Sequence, residues 1–129
     1  MRFLIFVTLL FSPSAYAANG YNRILAGMTP NSITIIGETH KKPEAIEYFL
    51  SLITSYLQQS KCLTIALEIV SSQQSLLDGM TEGKAMATDI KIAPAIDHLP
   101  FRELLKKLAE IRKHNDCLKL IAIDAELEL

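Results

Sequence analysis

What the chain has little of narrows it first. It carries two cysteines in 129 residues, which excludes a disulfide-dense scaffold and leaves room for a single intrachain bridge. It has no basic excess: 13 Lys and Arg stand against 14 Asp and Glu, for a formal net charge of −1. Without a basic stripe interleaved with aromatics, the many phosphate contacts behind nucleic-acid affinity are missing, so no nucleic-acid partner is expected. The apolar run at residues 3–11 is nine residues long, where a bilayer span takes about 20, so no stable membrane span is expected either. Repeats and low-complexity segments are absent.

What is present begins with a leader. One positive charge at Arg2, the apolar run, a Pro/Ser break and the small-x-small ending Ala15, Tyr16, Ala17 form a secretory signal peptide, cut after Ala17. No cysteine follows that point, so a lipid anchor is not expected. The expected products are a signal peptide over 1–17 and one domain over 18–129, periplasmic or secreted. Half of all residues are apolar, enough for that domain to bury a core of its own.

Period and punctuation give the elements. Residues 32–38 are rich in β-branched side chains and read as a buried strand. From Pro43, Ile46, Phe49, Leu50, Ile53 and Leu57 recur at helical spacing, with proline in the first turn. A second strand over 63–68 is continuously apolar, the pattern of a strand covered on both faces. A short helix over 71–77 is capped by Ser71 or Ser72 and ends near Gly79. Residues 79–99 form a long connection with room for a helical turn, of the kind that supplies lids, binding segments or disordered pieces. Helical spacing returns at Phe101, Leu104, Leu105, Leu108 and Ile111, and a third strand over 118–123 stops at Asp124. Alternating strands and helices imply right-handed βαβ crossovers, hence an α/β fold: a three-layer parallel sheet of about three strands with flanking helices.

Cys62 and Cys117 each stand one residue ahead of a strand-like run. If those strands are parallel neighbours in register, the two Cα atoms come within about 4.4–6.8 Å and a disulfide can form. Two separate buried thiols are the other possibility.

Ligands of open parallel sheets bind beyond the carboxyl ends of the strands. All three expected strands end in an acid: Glu38, Glu68 and Asp124. Glu38 and His40 are two apart, so on an extended segment they point the same way. Carboxylates held together repel unless a cation sits among them, a proton is shared, or an imidazole takes charge. Glu38, His40 and Glu68 are thus candidate ligands of a divalent metal, or a general-base set able to activate water. His40 and Asp124 are further candidates for holding a cofactor. Acids after strands also commonly cap helices or face solvent. His98, in the long connection, reads as solvated, and His114 as complementing a helix dipole.

Taken in order, Ile35, Ile36, Gly37, Glu38, Thr39 and His40, then Pro43, then Ala66, Leu67 and Glu68, the run 73–79, Pro100 with Phe101, and Leu120, Ile121 and Ala122 resemble the ChaN-like haem-binding uptake proteins of the Tiki/TraB superfamily. More distantly they resemble the erythromycin esterases. The resemblance spans residues 32–124 and implies the N-terminal half of a larger, here truncated, α/β domain. In that half Glu38, His40 and Glu68 line one pocket. Many members carry Asp or Asn and a histidine pair where this chain has Lys41, Lys42, Ala45 and Ile46. The ChaN-like branch implies haem binding and iron uptake, the Tiki branch metal-dependent proteolysis, and the esterase branch water activation by Glu and His. Fold does not choose among them. The expected ligand is therefore haem, a divalent metal or a small molecule. The alternatives are a hydrolase and an inactive remnant. A short parallel sheet also leaves an open edge, so self-association or a partner chain covering it is expected.

Overall fold

The computed structural model describes residues 14–37 and 41–125. Its elements in chain order are α1 (Ser14–Gly27), α2 (Pro43–Leu57), β1 (Leu63–Val70), α3 (Gln74–Thr81), α4 (Leu99–His114) and β2 (Leu118–Asp124). The chain divides into two compact units, Met1–Thr34 and Ile35–Leu129.

The first unit carries α1, which runs through the expected cleavage point at Ala17. Tyr21, Ile24, Leu25 and Met28 recur at three- and four-residue spacing there, a stripe short enough to be masked by its polar neighbours. The helix ends in a turn in which Ser32 Oγ donates to the Thr29 carbonyl at 2.7 Å and accepts the Thr29 N–H at 3.1 Å. Asn31, at φ 62°, supplies the left-handed residue, a conformation asparagine tolerates.

The second unit is α/β. Two helices begin with proline in the first turn, where its missing N–H has no intrahelical acceptor to lose. β1 and β2 pair in parallel, from Leu63 opposite Leu118 to Leu67 opposite Ala122, then through an irregularity to Val70 opposite Asp124. A disulfide joins Cys62 to Cys117 with 4.2 Å between Cα atoms, as the aligned strand starts imply. The Leu63 N–H donates to the Cys117 carbonyl at 2.7 Å beside it.

The sheet differs from the sequence expectation in two respects. Among the described residues it has two strands and not three: residues 32–37 carry no ladder, and Ile33 and Ile35 are 90% and 91% exposed. β-branched residues favour a pleated, half-buried surface, and that preference acts only where a neighbouring strand supplies one. Burial also alternates along β1: Ile65, Leu67 and Ile69 are buried while Thr64, Ala66 and Glu68 are exposed. Helices of this unit therefore pack on one face, giving two layers. Ile46 and Ile53 of α2, Leu77 of α3, and Leu104, Leu105 and Leu108 of α4 form one core with the buried face.

The connection over 79–99 is held down. Ala87, Ile90 and Ile96 join the core, with a 3₁₀ turn at Ala87–Asp89. Both groups of the Gln73 amide bond the Lys91 backbone, at 2.6 and 2.7 Å. Arg102 reaches the Ala87 carbonyl at 2.6 Å and grips Asp97 through two bonds at 2.7 and 2.9 Å. Segment 79–99 is a packed part of the unit, since its scattered isoleucines and alanines have apolar neighbours that a periodicity search does not register.

Candidate functional site

Glu68 lies two residues inside the end of β1, which continues to Val70, so it belongs to the strand and does not terminate it. It shares the exposed face with Thr64 and Ala66, and among the described residues its carboxylate has no hydrogen bond or ion pair. Asp124 closes β2, is exposed, and accepts the N–H of Ala125 through Oδ1 at 2.9 Å. No bond links the two acids. Alternation along β2 gives Asp124 the parity of Leu120 and Ala122, toward the helices, whereas Glu68 faces away from them. The irregularity between Leu67 and Val70 is where that phase shifts. Glu38 and His40 lie outside the described residues. Among the described residues no three of His, Cys, Asp and Glu are grouped closely enough to hold a metal ion.

The residues flanking Glu38 and His40 are described. Gly37 is exposed, and Lys41 takes a left-handed backbone at φ 67°. Its N–H donates to Nε2 of His98 at 3.3 Å, a contact between residues 57 apart. On the other side of the same ring, Nδ1 lies 3.2 Å from the Phe101 nitrogen, in place to accept its N–H and cap α4. His98 is half-buried, its ring edge toward Phe101 at 6.2 Å, so it is not the solvated loop residue that the sequence suggests. One signal was available. A residue just ahead of Leu99 and Pro100 is in N-cap position, where a side-chain acceptor is wanted. Next to it, the Arg102 guanidinium holds the Asp97 carboxyl below the ordinary carboxylate range. His114 does sit in the last turn of α4, with Nε2 at 2.9 Å from Glu110 Oε1.

The two edges of the sheet are unlike. In a parallel ladder alternate residues direct their backbone groups to opposite sides; the Leu63 bond to Cys117 makes the odd residues of both strands face one another. On β2 the even residues therefore face outward, and Gln74 of α3 meets them. Its Oε1 accepts the Ala122 N–H at 2.8 Å and its Nε2 donates to the Leu120 carbonyl at 3.2 Å. One side-chain amide thus replaces the residue of a third parallel strand. The outward groups of Thr64, Ala66 and Glu68 on β1 have no such cover among the described residues. Two surface cavities, one lined by Thr54, Leu57 and Ile111 and one by Met80, Ala85 and Lys106, include neither Glu68, Asp124 nor His98.

The second unit thus defines a small parallel α/β unit with an acid on each strand near its carboxyl end. Comparison with family models, curated proteins and solved structures finds no match for this chain. No described helix is long and apolar enough to cross a membrane.

Proposed function

We propose that the chain is an exported ChaN-like domain that binds a divalent metal or haem beside Glu68, with Glu38 and His40 as the other site residues. The observation that carries this reading is the asymmetry of the sheet edges. With β2 closed by Gln74, a further strand has only the outer edge of β1 to join, and the described part of the expected strand, residues 32–37, carries no ladder. Laid parallel on that edge, residues 35–38 would form the third strand of the expected sheet and bring Glu38 beside Glu68, since neighbouring strands lie about 4.8 Å apart.

Glu68 suits such a role because its carboxylate is exposed and has no ion-pair partner among the described residues. Two carboxylates and one imidazole are a fitting donor set for a borderline divalent cation, which supplies Lewis acidity when bound. For haem, His40 and Asp124 are the residues that would hold the group. Exposed Ala66 and Ile123 on the uncovered sheet face have the apolar character that a macrocycle needs. The hydrolase reading keeps the same three residues, with His40 as base, Glu38 orienting it and Glu68 holding metal or water. Where residues 32–38 leave the β1 edge free, a second chain pairs there.

Export is supported by the leader and by the disulfide, which persists in oxidising compartments. Amino-terminal sequencing of the secreted chain is expected to begin at Ala18; an intact leader counts against export.

The test of the site is titration with hemin and, separately, with Zn²⁺. A Soret shift, or saturable Zn²⁺ binding, that is lost in both His40→Ala and Glu68→Gln supports the binding site. Ester or peptide turnover abolished by chelator and by His40→Ala favours the hydrolase reading. No binding and no turnover leaves a remnant that folds without chemistry.

A further inference from the structure

Two independent observations meet where the segment carrying Glu38 and His40 rejoins the described fold. Lys41 is a non-glycine residue with a left-handed backbone, a conformation that costs an L-residue about 1–2 kcal/mol and persists when its surroundings fix it. The group in place to fix it is the imidazole of His98, whose Nε2 accepts the Lys41 N–H. That imidazole has a second task at Nδ1, accepting from Phe101 at the head of α4. A neutral imidazole has only one unprotonated nitrogen, so it accepts at Nε2 or at Nδ1 and not at both.

We propose that His98 is a positioning residue with two mutually exclusive states: in the Nδ1–H tautomer it fixes the backbone of Lys41, directly after His40, and in the Nε2–H tautomer it releases that backbone and caps α4 instead. The proposal rests on Glu38 and His40 being site residues, and it adds how their segment is held. The step is a proton moved between two nitrogens of one ring through solvent, with no net change of charge. Holding Lys41 fixes the backbone of the residue that follows His40; releasing it strengthens the start of α4. A ligand that needs Lys41 held draws the ring toward the Nδ1–H form, and the helix cap is given up in exchange.

Side-chain amides separate the two states, since the Asn oxygen reaches the position of Nδ1 and the Gln oxygen that of Nε2. The experiment is residue-resolved amide hydrogen exchange on the full chain and its His98→Asn, His98→Gln and His98→Ala variants. In H98N the Lys41 amide is expected to exchange about three- to tenfold faster than in the native chain, while Phe101 is unchanged. In H98Q the pattern reverses, and in H98A both amides speed up. Equal behaviour of the Asn and Gln variants at both amides overturns the proposal. So does a native ring whose two ¹⁵N shifts report a single pure tautomer, a measurement that needs no variant to fold. Zn²⁺ affinity, as a second readout, is expected to survive in H98Q and to fall in H98N. Absence of Zn²⁺ and hemin binding in every form would refute the site reading alone, because the exchange pattern decides the role of His98 by itself.

Discussion

The side chain of Gln74 pairs with the backbone of Ala122 as a neighbouring strand would, its Oε1 accepting that N–H at 2.8 Å. Gln74→Ala removes this bond and the one to Leu120, and leaves partly buried backbone groups uncovered. The expected loss is about 1–3 kcal/mol in urea unfolding. A second edge also becomes open to pairing, so sedimentation velocity should show more self-association than in the native chain. Unchanged stability and association would mean that the amide does not seal the edge in solution.

The Cys62–Cys117 disulfide closes a loop of 55 residues between the two strand starts. By loop entropy its removal in Cys62→Ser/Cys117→Ser should cost about 4 kcal/mol. Urea midpoints with and without a dithiol reductant, run on the native chain and the double variant, check this. The reductant should shift the first and leave the second alone.

Arg102 lowers the pKa of Asp97 through a two-pronged hydrogen bond. A carboxyl whose folded pKa lies below its unfolded one stabilises the fold above the unfolded value, and that contribution disappears as pH falls through the folded value. Thermal midpoints of the native chain should therefore fall more steeply below about pH 4 than those of Asp97→Asn. Parallel curves would show that the fork contributes nothing to folding.

Ser60, three residues past the end of α2, has a left-handed backbone at φ 58°, its N–H on the Leu57 carbonyl at 3.0 Å. Glycine adopts that conformation without the Cβ clash, so Ser60→Gly is expected to stabilise the chain by about 0.5–1 kcal/mol despite its greater freedom when unfolded. Leu105→Ala is the opposite case. Leu105 is 0% exposed between α4 and the sheet, and a cavity there should cost about 2–5 kcal/mol in the same urea assay.

Periodicity alone located α2, α4, β1 and β2, because each presents several large apolar side chains to one core. The disulfide followed from two cysteines set at equal distances ahead of two similar strands. Of the candidate site, Glu68 and Asp124 are strand residues as expected, while Glu38 and His40 lie outside the described residues. His98 reads as solvated in the sequence and Gln74 carries no reading of its own, since the contacts that matter lie with backbone groups 57 and 48 residues away.

Local preference and hydrophobic spacing are properties of short windows, and they determined by themselves α2, α4 and the two strand segments, while the pairing that brings Cys62 to Cys117 is tertiary. Which face of the sheet is covered, which edge is sealed and what meets Lys41 were decided only in three dimensions. Those are questions of which backbone donors and acceptors find partners, and a partner is fixed by the packing of the whole unit and not by its neighbours in sequence.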